Sequence, residues 1–184
     1  MAIKDKDKWN KKYSAKKNID NTPIDLVKYY YTLAHRGLAL DIACGIGRHS
    51  TFLAQEEFEV DALDISSKAL ENIQNIANIY PREVDFDKFK IIKNTYDLVI
   101  CTYFLNRDIL DDIQKSLASG GILIYETFIE HQESNIKFKN SDFMLQEDEL
   151  KNSFDDLEII FYEEWWDEKD GDKTLKASLV ARKS

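Results

Sequence analysis

Residues 38–50, LALDIACGIGRHS, restrict the fold more than any other stretch of the chain. A nearly unbroken apolar run over 38–43 suits a strand buried on both faces, as in a parallel sheet covered by helices. It ends in Gly45-Ile46-Gly47, and a helical segment begins at Arg48. A Gly-x-Gly turn between a strand and a helix brings backbone close to a nucleotide. The dinucleotide fingerprint then asks for a third glycine three residues on, where this chain has Ser50. One acid, Asp41, also interrupts the apolar run.

The rest of the chain alternates in the same way. Thr22-Pro23-Ile24-Asp25 reads as a helix start: Thr22 caps, Pro23 suits the first turn and Asp25 closes a capping box. Leu26, Tyr29, Tyr30 and Leu33 then form an apolar face to about residue 35. Residues 48–55 are helical, 59–64 form a second strand, and Ser66 caps a helix running to about residue 79. Residues 80–95 are weakly patterned. A third clear strand covers 96–103, a helix covers 108–117 and is ended by Gly120-Gly121, and a fourth strand covers 122–127. Strands alternating with helices imply βαβ units and a parallel sheet. At the C-terminal end, 157–164 and 174–181 flank an acidic turn containing Asp170-Gly171, a hairpin that adds one antiparallel strand. The expected class is α/β, one Rossmann-like domain.

Composition narrows the function. A chain of 184 residues that is 43% hydrophobic and 12% aromatic can bury a sizeable core. No apolar stretch approaches the roughly 18 residues of a membrane span, and the Lys-rich start lacks a signal core. The two cysteines, Cys44 and Cys101, have no metal spacing and read as packed, reduced thiols, so a cytoplasmic protein without a metal site is expected. A net charge of −9 argues against a nucleic-acid partner. Residues 1–17 hold seven lysines, and residues 141–172 hold thirteen acids against two lysines; both runs read as solvated surface. No signal specifies an oligomeric state.

The acids at the strand ends indicate which cofactor the glycine turn holds. Asp64 lies 19 residues after Gly45, where a second-strand acid accepts the hydroxyls of a ribose. Its alternative role is a helix cap, which Ser66 can fill instead. A carboxylate within an apolar strand is costly unless paired. Asp41 would repel a pyrophosphate and attract a cation, although a salt bridge or a backbone cap would also explain it. Arg48 and His49 fill the space that a pyrophosphate would use. A ligand with a ribose, a positive charge and no pyrophosphate is S-adenosylmethionine.

On these residues the chain resembles class I S-adenosylmethionine-dependent methyltransferases, and among them the small bacterial tellurite-resistance type. The resemblance is carried by LDIACGIGRHS, VDALDIS, REVDFDKF, YDLVICTYFLNRD, GGILIYETF, NSDFMLQEDEL and DLEIIFYEE, with WNKKY near the N-terminus. It implies a mostly parallel seven-stranded sheet with one antiparallel strand. It also implies roles: Asp41 would orient the methionine ammonium, directly or through water. Ala43, Gly45, Gly47 and Arg48 would surround the methionine and sugar. Asp64 would hold the ribose, Ile65 would pack on adenine, and Asp85 and Phe86 would contact its edge and face, with Asp87 the alternative to Asp85. Cys101, Thr102 and Tyr103 would line the reacting end. Residues 1–21, with Trp9 and Tyr13 four apart, would be a lid over a domain of residues 22–184.

Methyl transfer is an in-line displacement that needs orientation more than a base. Tyr103, Arg107, Glu126 and His131 are candidates to contact a small-molecule acceptor. Each has an ordinary alternative: His131 on a surface loop, Arg107 paired with Asp111, and Tyr103 packed. Trp165-Trp166 reads as core and hairpin edge, and His49 as a helix-start residue. Two other functions remain compatible with the sequence, a cofactor-binding regulatory protein without turnover and, against Ser50 and Asp41, a nicotinamide-dependent reductase.

Overall fold

The computed structural model describes residues 3–15, 19–135, 141–169 and 171–184. Among these, seven strands form one sheet: β1 (Leu38–Ile42), β2 (Glu59–Asp64), β3 (Ile79–Glu83), β4 (Tyr96–Thr102), β5 (Leu117–Phe128), β6 (Glu158–Lys169) and β7 (Asp172–Arg182). Their order is β3-β2-β1-β4-β5-β7-β6, and β7 runs antiparallel to both of its neighbours. The helices are α1 (Ile3–Ala15), α2 (Asp25–Tyr30), α3 (Arg48–Gln55), α4 (Ser67–Leu70), α5 (Leu110–Ser116) and α6 (Glu149–Asn152). No helix of the described residues is long and apolar enough to cross a membrane.

Strand periodicity divides the core into two layers. Leu40, Ile42, Val99, Cys101, Leu123 and Tyr125 face one side with Ile113 and Phe154. Ala39, Leu98, Ile100, Ile122 and Ile124 face the other, under Val27 and Leu53. Both sides are buried, which is why β1 and β4 read as apolar runs rather than alternating ones. The order reverses between β1 and β4: the chain steps outward from β1 to β2 and β3, then returns to the opposite side of β1. A crevice opens at such a reversal beyond the strands' carboxyl ends.

Several local expectations are corrected. Helix α2 begins at Asp25 with Ile24 at the cap and no side-chain cap, while Thr22 gives its N–H to Asp20. Asp25 pairs with Lys28 instead of closing a box. The buried face of this segment is Leu26, Val27 and Ala34, with Tyr30 on Phe161 and Tyr31 on Phe52. Tyr29 is 73% exposed and Leu33 39%. Val27, Tyr30, Tyr31 and Ala34 also keep helical spacing, one position out of phase with the expected set.

Ser66 does cap α4, accepting the Ala69 N–H, but the helix stops after one turn. The Asn72 side chain bonds the Ala69 carbonyl at 2.8 Å, a local competition that ends helices. Residue 79 therefore opens β3, an edge strand with little buried surface and hence little pattern. The glycines Gly120 and Gly121 lie within β5, where its register against β4 shifts between Tyr96 and Leu98, so they do not end α5. The C-terminal hairpin reaches further towards its turn than expected, with β6 running to Lys169 and β7 starting at Asp172; Asp170 of its turn lies outside the described residues.

Candidate active site

After β1 the chain turns through left-handed conformations at Ala43 (φ 53°), Gly45 (φ 58°) and Gly47 (φ 77°). Asp64, at the end of β2, holds this turn in place. One carboxylate oxygen accepts the Gly45 N–H at 2.8 Å and the other the Ser66 N–H at 2.7 Å. Burial raises the Asp64 pKa, opposed by these backbone N–H groups. A methyl group at Gly47 would stand 2.5 Å from Ile73, and one at Gly45 would stand 2.7 Å from the Tyr13 hydroxyl. Gly47 therefore lets the turn pack against the segment that follows α4, and Gly45 lets α1 close on the turn.

Ser50 does not leave a gap in a fingerprint; its hydroxyl donates to Asp41 at 2.6 Å. Asp41 is 1% exposed and sits behind the turn, lining neither of the cavities described below. Burial pushes its carboxyl up to about 7, against the Ser50 bond and the Arg48 charge, which lower it. Ionising Asp41 is therefore costlier in the folded chain than in the unfolded one. Its contribution to stability is whole below about pH 4, declines by up to about 1.4 kcal/mol per unit towards pH 7, and is constant above. Urea unfolding of Asp41→Asn should give a stability advantage over the native chain that grows across this window and then levels off. An advantage that does not change with pH would show that Asp41 ionises as freely folded as unfolded.

A cavity of about 250 Å³ lies over the turn. Ala43, Cys44, Gly45, Arg48, Asp64, Ile65 and Phe86 line it, with Thr102, Tyr103 and Phe104 from the end of β4. Helix α1 closes one side. Trp9 and Tyr13 stack at 5.8 Å and both line the cavity, and Lys12 lies 4.1 Å from the Trp9 ring. Asn10 anchors the helix by accepting the Ser66 hydroxyl at 2.7 Å and the Lys68 N–H at 3.2 Å.

The remaining predicted residues are divided by the structure. Cys101 is fully buried in the core and does not line the cavity, because strand alternation turns it away from Thr102. Neither Asp85 nor Asp87 is among the lining residues; Asp85 accepts the Asp87 N–H and faces Lys88. Gly47 shapes the turn from beneath Ile73. Arg107 does not reach Asp111: it forks onto Glu149 at 2.6 and 2.9 Å and bonds the Asp142 and Met144 carbonyls. His131 is exposed, edge-on to Trp166, and lines neither cavity.

Tyr103 and Glu126 do come together. Tyr103 adopts φ 56° after β4 and donates its hydroxyl to Glu126 at 2.9 Å. Burial, then Glu126, raises its pKa. Lys176 donates to the Tyr103 oxygen at 3.3 Å, and Ser178 donates to the second Glu126 oxygen at 2.9 Å. Tyr103, Arg48 and Asp20 line both the first cavity and a second one of about 850 Å³, which Glu126, Trp165 and Lys176 also line.

Two participants escaped sequence reasoning. His49, 2% exposed, lines the first cavity; its Nε2 accepts the Ile24 N–H at 3.4 Å, which leaves the proton on Nδ1, 3.5 Å from the Thr102 hydroxyl. Burial, with the Arg48 charge, pushes its pKa down to about 3. The sequence marks this histidine only as a helix-start residue, which it is in α3, and not its buried contacts with Ile24 and Thr102. Lys176 had a signal: Thr174, Lys176 and Ser178 alternate with apolar residues, a polar stripe along one face of β7.

Comparison with known proteins agrees with this architecture. A family described as "Tellurite resistance protein TehB" matches residues 1–174. The ribosomal protein L11 methyltransferase of Campylobacter concisus (strain 13826) is 29% identical over 132 residues, covering 68% of this chain but 46% of that protein. The chain thus spans about half the length of this curated relative. The crystal structure of TehB from Haemophilus influenzae superposes with a TM-score of 0.74 at 24% identity, over 97% of this chain and 67% of that one. A S-adenosylmethionine-dependent methyltransferase from Methanosarcina mazei gives 0.69 at 18% identity, over 88% and 98%. By the match over nearly its whole length, the chain belongs to the tellurite resistance protein TehB family, on a fold it shares with S-adenosylmethionine-dependent methyltransferases.

Proposed function

We propose that the chain is a methyltransferase that uses S-adenosylmethionine to methylate a small-molecule acceptor in the cytoplasm by in-line displacement. The observation that carries this reading is the left-handed turn from Ala43 to Gly47, clasped by Asp64 and roofed by Trp9 and Tyr13. The residues present suit that cofactor. Each Asp64 oxygen accepts one backbone N–H and has a further lone pair for a ribose hydroxyl. Ile65 and Phe86 offer apolar walls for a base. The Arg48 guanidinium stands 5.0 Å from the Tyr103 ring with no ion-pair or hydrogen-bond partner among the described residues, so a carboxylate can take it. The buried Asp41 would favour an ammonium across the turn through its charge.

When bound, S-adenosylmethionine supplies a methyl group already activated on a sulfonium. The chain is left with positioning and exclusion of water. Residues 1–21 act as the lid and residues 22–184 as the domain beneath it. Tyr103 and Glu126 meet the acceptor, whereas Arg107 and His131 serve the fold. The direct test is incubation with a methyl-labelled donor and a cell metabolite extract. S-adenosylhomocysteine and a labelled product are expected together; tight binding of S-adenosylhomocysteine with no labelled product from any extract would leave a binding protein.

The lid has its own test. Deleting residues 1–18 removes the two aromatic groups that close the cavity and spares every strand. Burying one such side chain is worth about 1.5–3 kcal/mol, so S-adenosylhomocysteine should bind at least roughly tenfold more weakly. Amide exchange near Trp9 in the full chain should slow when S-adenosylhomocysteine is added. Full affinity in the truncated chain, with unchanged exchange, would return Trp9 and Tyr13 to ordinary packing.

A further inference from the structure

Glu126 raises a problem of charge. It is 4% exposed, and its two oxygens accept from two neutral hydroxyls, those of Tyr103 and Ser178. No cation pairs with it among the described residues. Buried charges are ordinarily paired, because leaving water costs them several kcal/mol each. The nearby Lys176 does not cancel it; its ammonium is committed to Asp167.

Glu126 also lines the larger cavity, which meets the first at Tyr103 and Arg48. That cavity of about 850 Å³ is within the range of small-molecule sites. Its walls include Phe128, Phe161 and Trp165, and its rim carries Glu163 and Asp172, neither of which has an ion-pair partner among the described residues. These rims belong to the acid-rich hairpin that the sequence alone presents as solvated surface. The wall already shows that it stabilises an ammonium: Lys176 lies 4.9, 5.7 and 5.1 Å from the Tyr103, Phe128 and Trp165 rings. With Arg48 given to the cofactor's carboxylate, the lining keeps a surplus of negative charge.

We infer that the second cavity is the acceptor chamber and that it takes an organic cation, an amine with an apolar or aromatic body, which supplies the counter-ion that Glu126 lacks. The inference rests on the methyltransferase reading for the word acceptor, and on Glu126 and the cavity for the charge. Once Arg48 is taken by the cofactor's carboxylate, with Lys176 and Lys28 paired to Asp167 and Asp25, an inorganic oxyanion or a carboxylate would meet Glu126, Glu163 and Asp172 with no uncommitted cation among the described lining residues.

The test uses the full chain, with and without saturating S-adenosylhomocysteine. 2-Phenylethylamine, 3-phenylpropanoate and selenite are titrated while the Trp165 indole N–H, bonded to Ser178 at 2.9 Å, is followed by NMR. The amine should shift this resonance and bind at least about tenfold more tightly than the carboxylate, the value of one charge-assisted contact. Glu126→Gln should abolish that preference, and Glu163→Gln with Asp172→Asn, at the exposed rim, should reduce it two- to threefold by weaker, screened attraction, roughly as expected for surface charges. Equal or tighter binding of the carboxylate or selenite, no shift with the amine, or a preference that survives all three changes would overturn the inference. Failure of S-adenosylhomocysteine to bind would instead fault the cofactor reading, since the amine titration is also read without it.

Discussion

Asp64→Ala is expected to cost both fold stability and cofactor affinity. The substitution leaves the Gly45 and Ser66 N–H groups without their acceptor in a buried turn. Each orphaned donor costs about 1–3 kcal/mol, so unfolding in urea should show a loss of roughly 2–6 kcal/mol. From the sequence alone Asp64 reads as a ribose ligand in preference to a helix cap, and its removal looks nearly free for the fold. The structure gives the same carboxylate a second duty, forming the turn that the cofactor approaches. Asp64→Asn separates the two duties. It keeps one carbonyl acceptor for the turn, so it should retain part of the lost stability, while S-adenosylhomocysteine affinity falls by at least about tenfold in calorimetry. Native affinity in a folded Asn variant would limit Asp64 to the turn.

S-adenosylhomocysteine itself should raise the stability of the native chain. At a hundredfold excess over its dissociation constant the gain is roughly 2.7 kcal/mol. For a chain of this size that is a rise in Tm of about 5–10 °C. NAD at the same concentration should leave Tm nearly unchanged. Arg48 and His49 occupy the helix start that a pyrophosphate would need, and Ser50 is committed to Asp41. Equal stabilisation by the two ligands would sink the choice of cofactor.

The sheet was largely legible because its signals are local. An apolar run over 38–43, a second over 96–103 and a glycine turn between strand and helix record periodicities of a few residues. The bounds of α3 and β2 were read as observed for the same reason. Expectations failed where a side chain took a partner that propensity and helical spacing do not mark. Asn72 shortened α4 by taking the Ala69 carbonyl, and His49 drew in the Ile24 N–H, so that Thr22 lost its cap. Arg107 had a partner at helical spacing in Asp111, yet Glu149, 42 residues away, offered a two-pronged fit that a helix neighbour does not.

The residues that the sequence singled out at the ends of β1 and β2 mostly meet at the first cavity, where we propose the cofactor binds, because those acids and glycines are short-range features of a strand–turn–helix unit. The side we assign to the acceptor was not readable in this way. Glu126 and Ser178 lie 52 residues apart, and Tyr103 and Lys176 lie 73 apart. They meet because β7 inserts antiparallel between β5 and β6 and brings its polar stripe against the ends of β4 and β5. By itself the sequence determined that this chain forms a parallel sheet with a nucleotide-type turn, since backbone preference and burial period act within a few residues. Only the tertiary structure decided that Ser50 serves Asp41, that Cys101 belongs to the core, and that Glu126 lies buried with no counter-ion among the described residues, since burial and charge pairing depend on elements that only folding brings together.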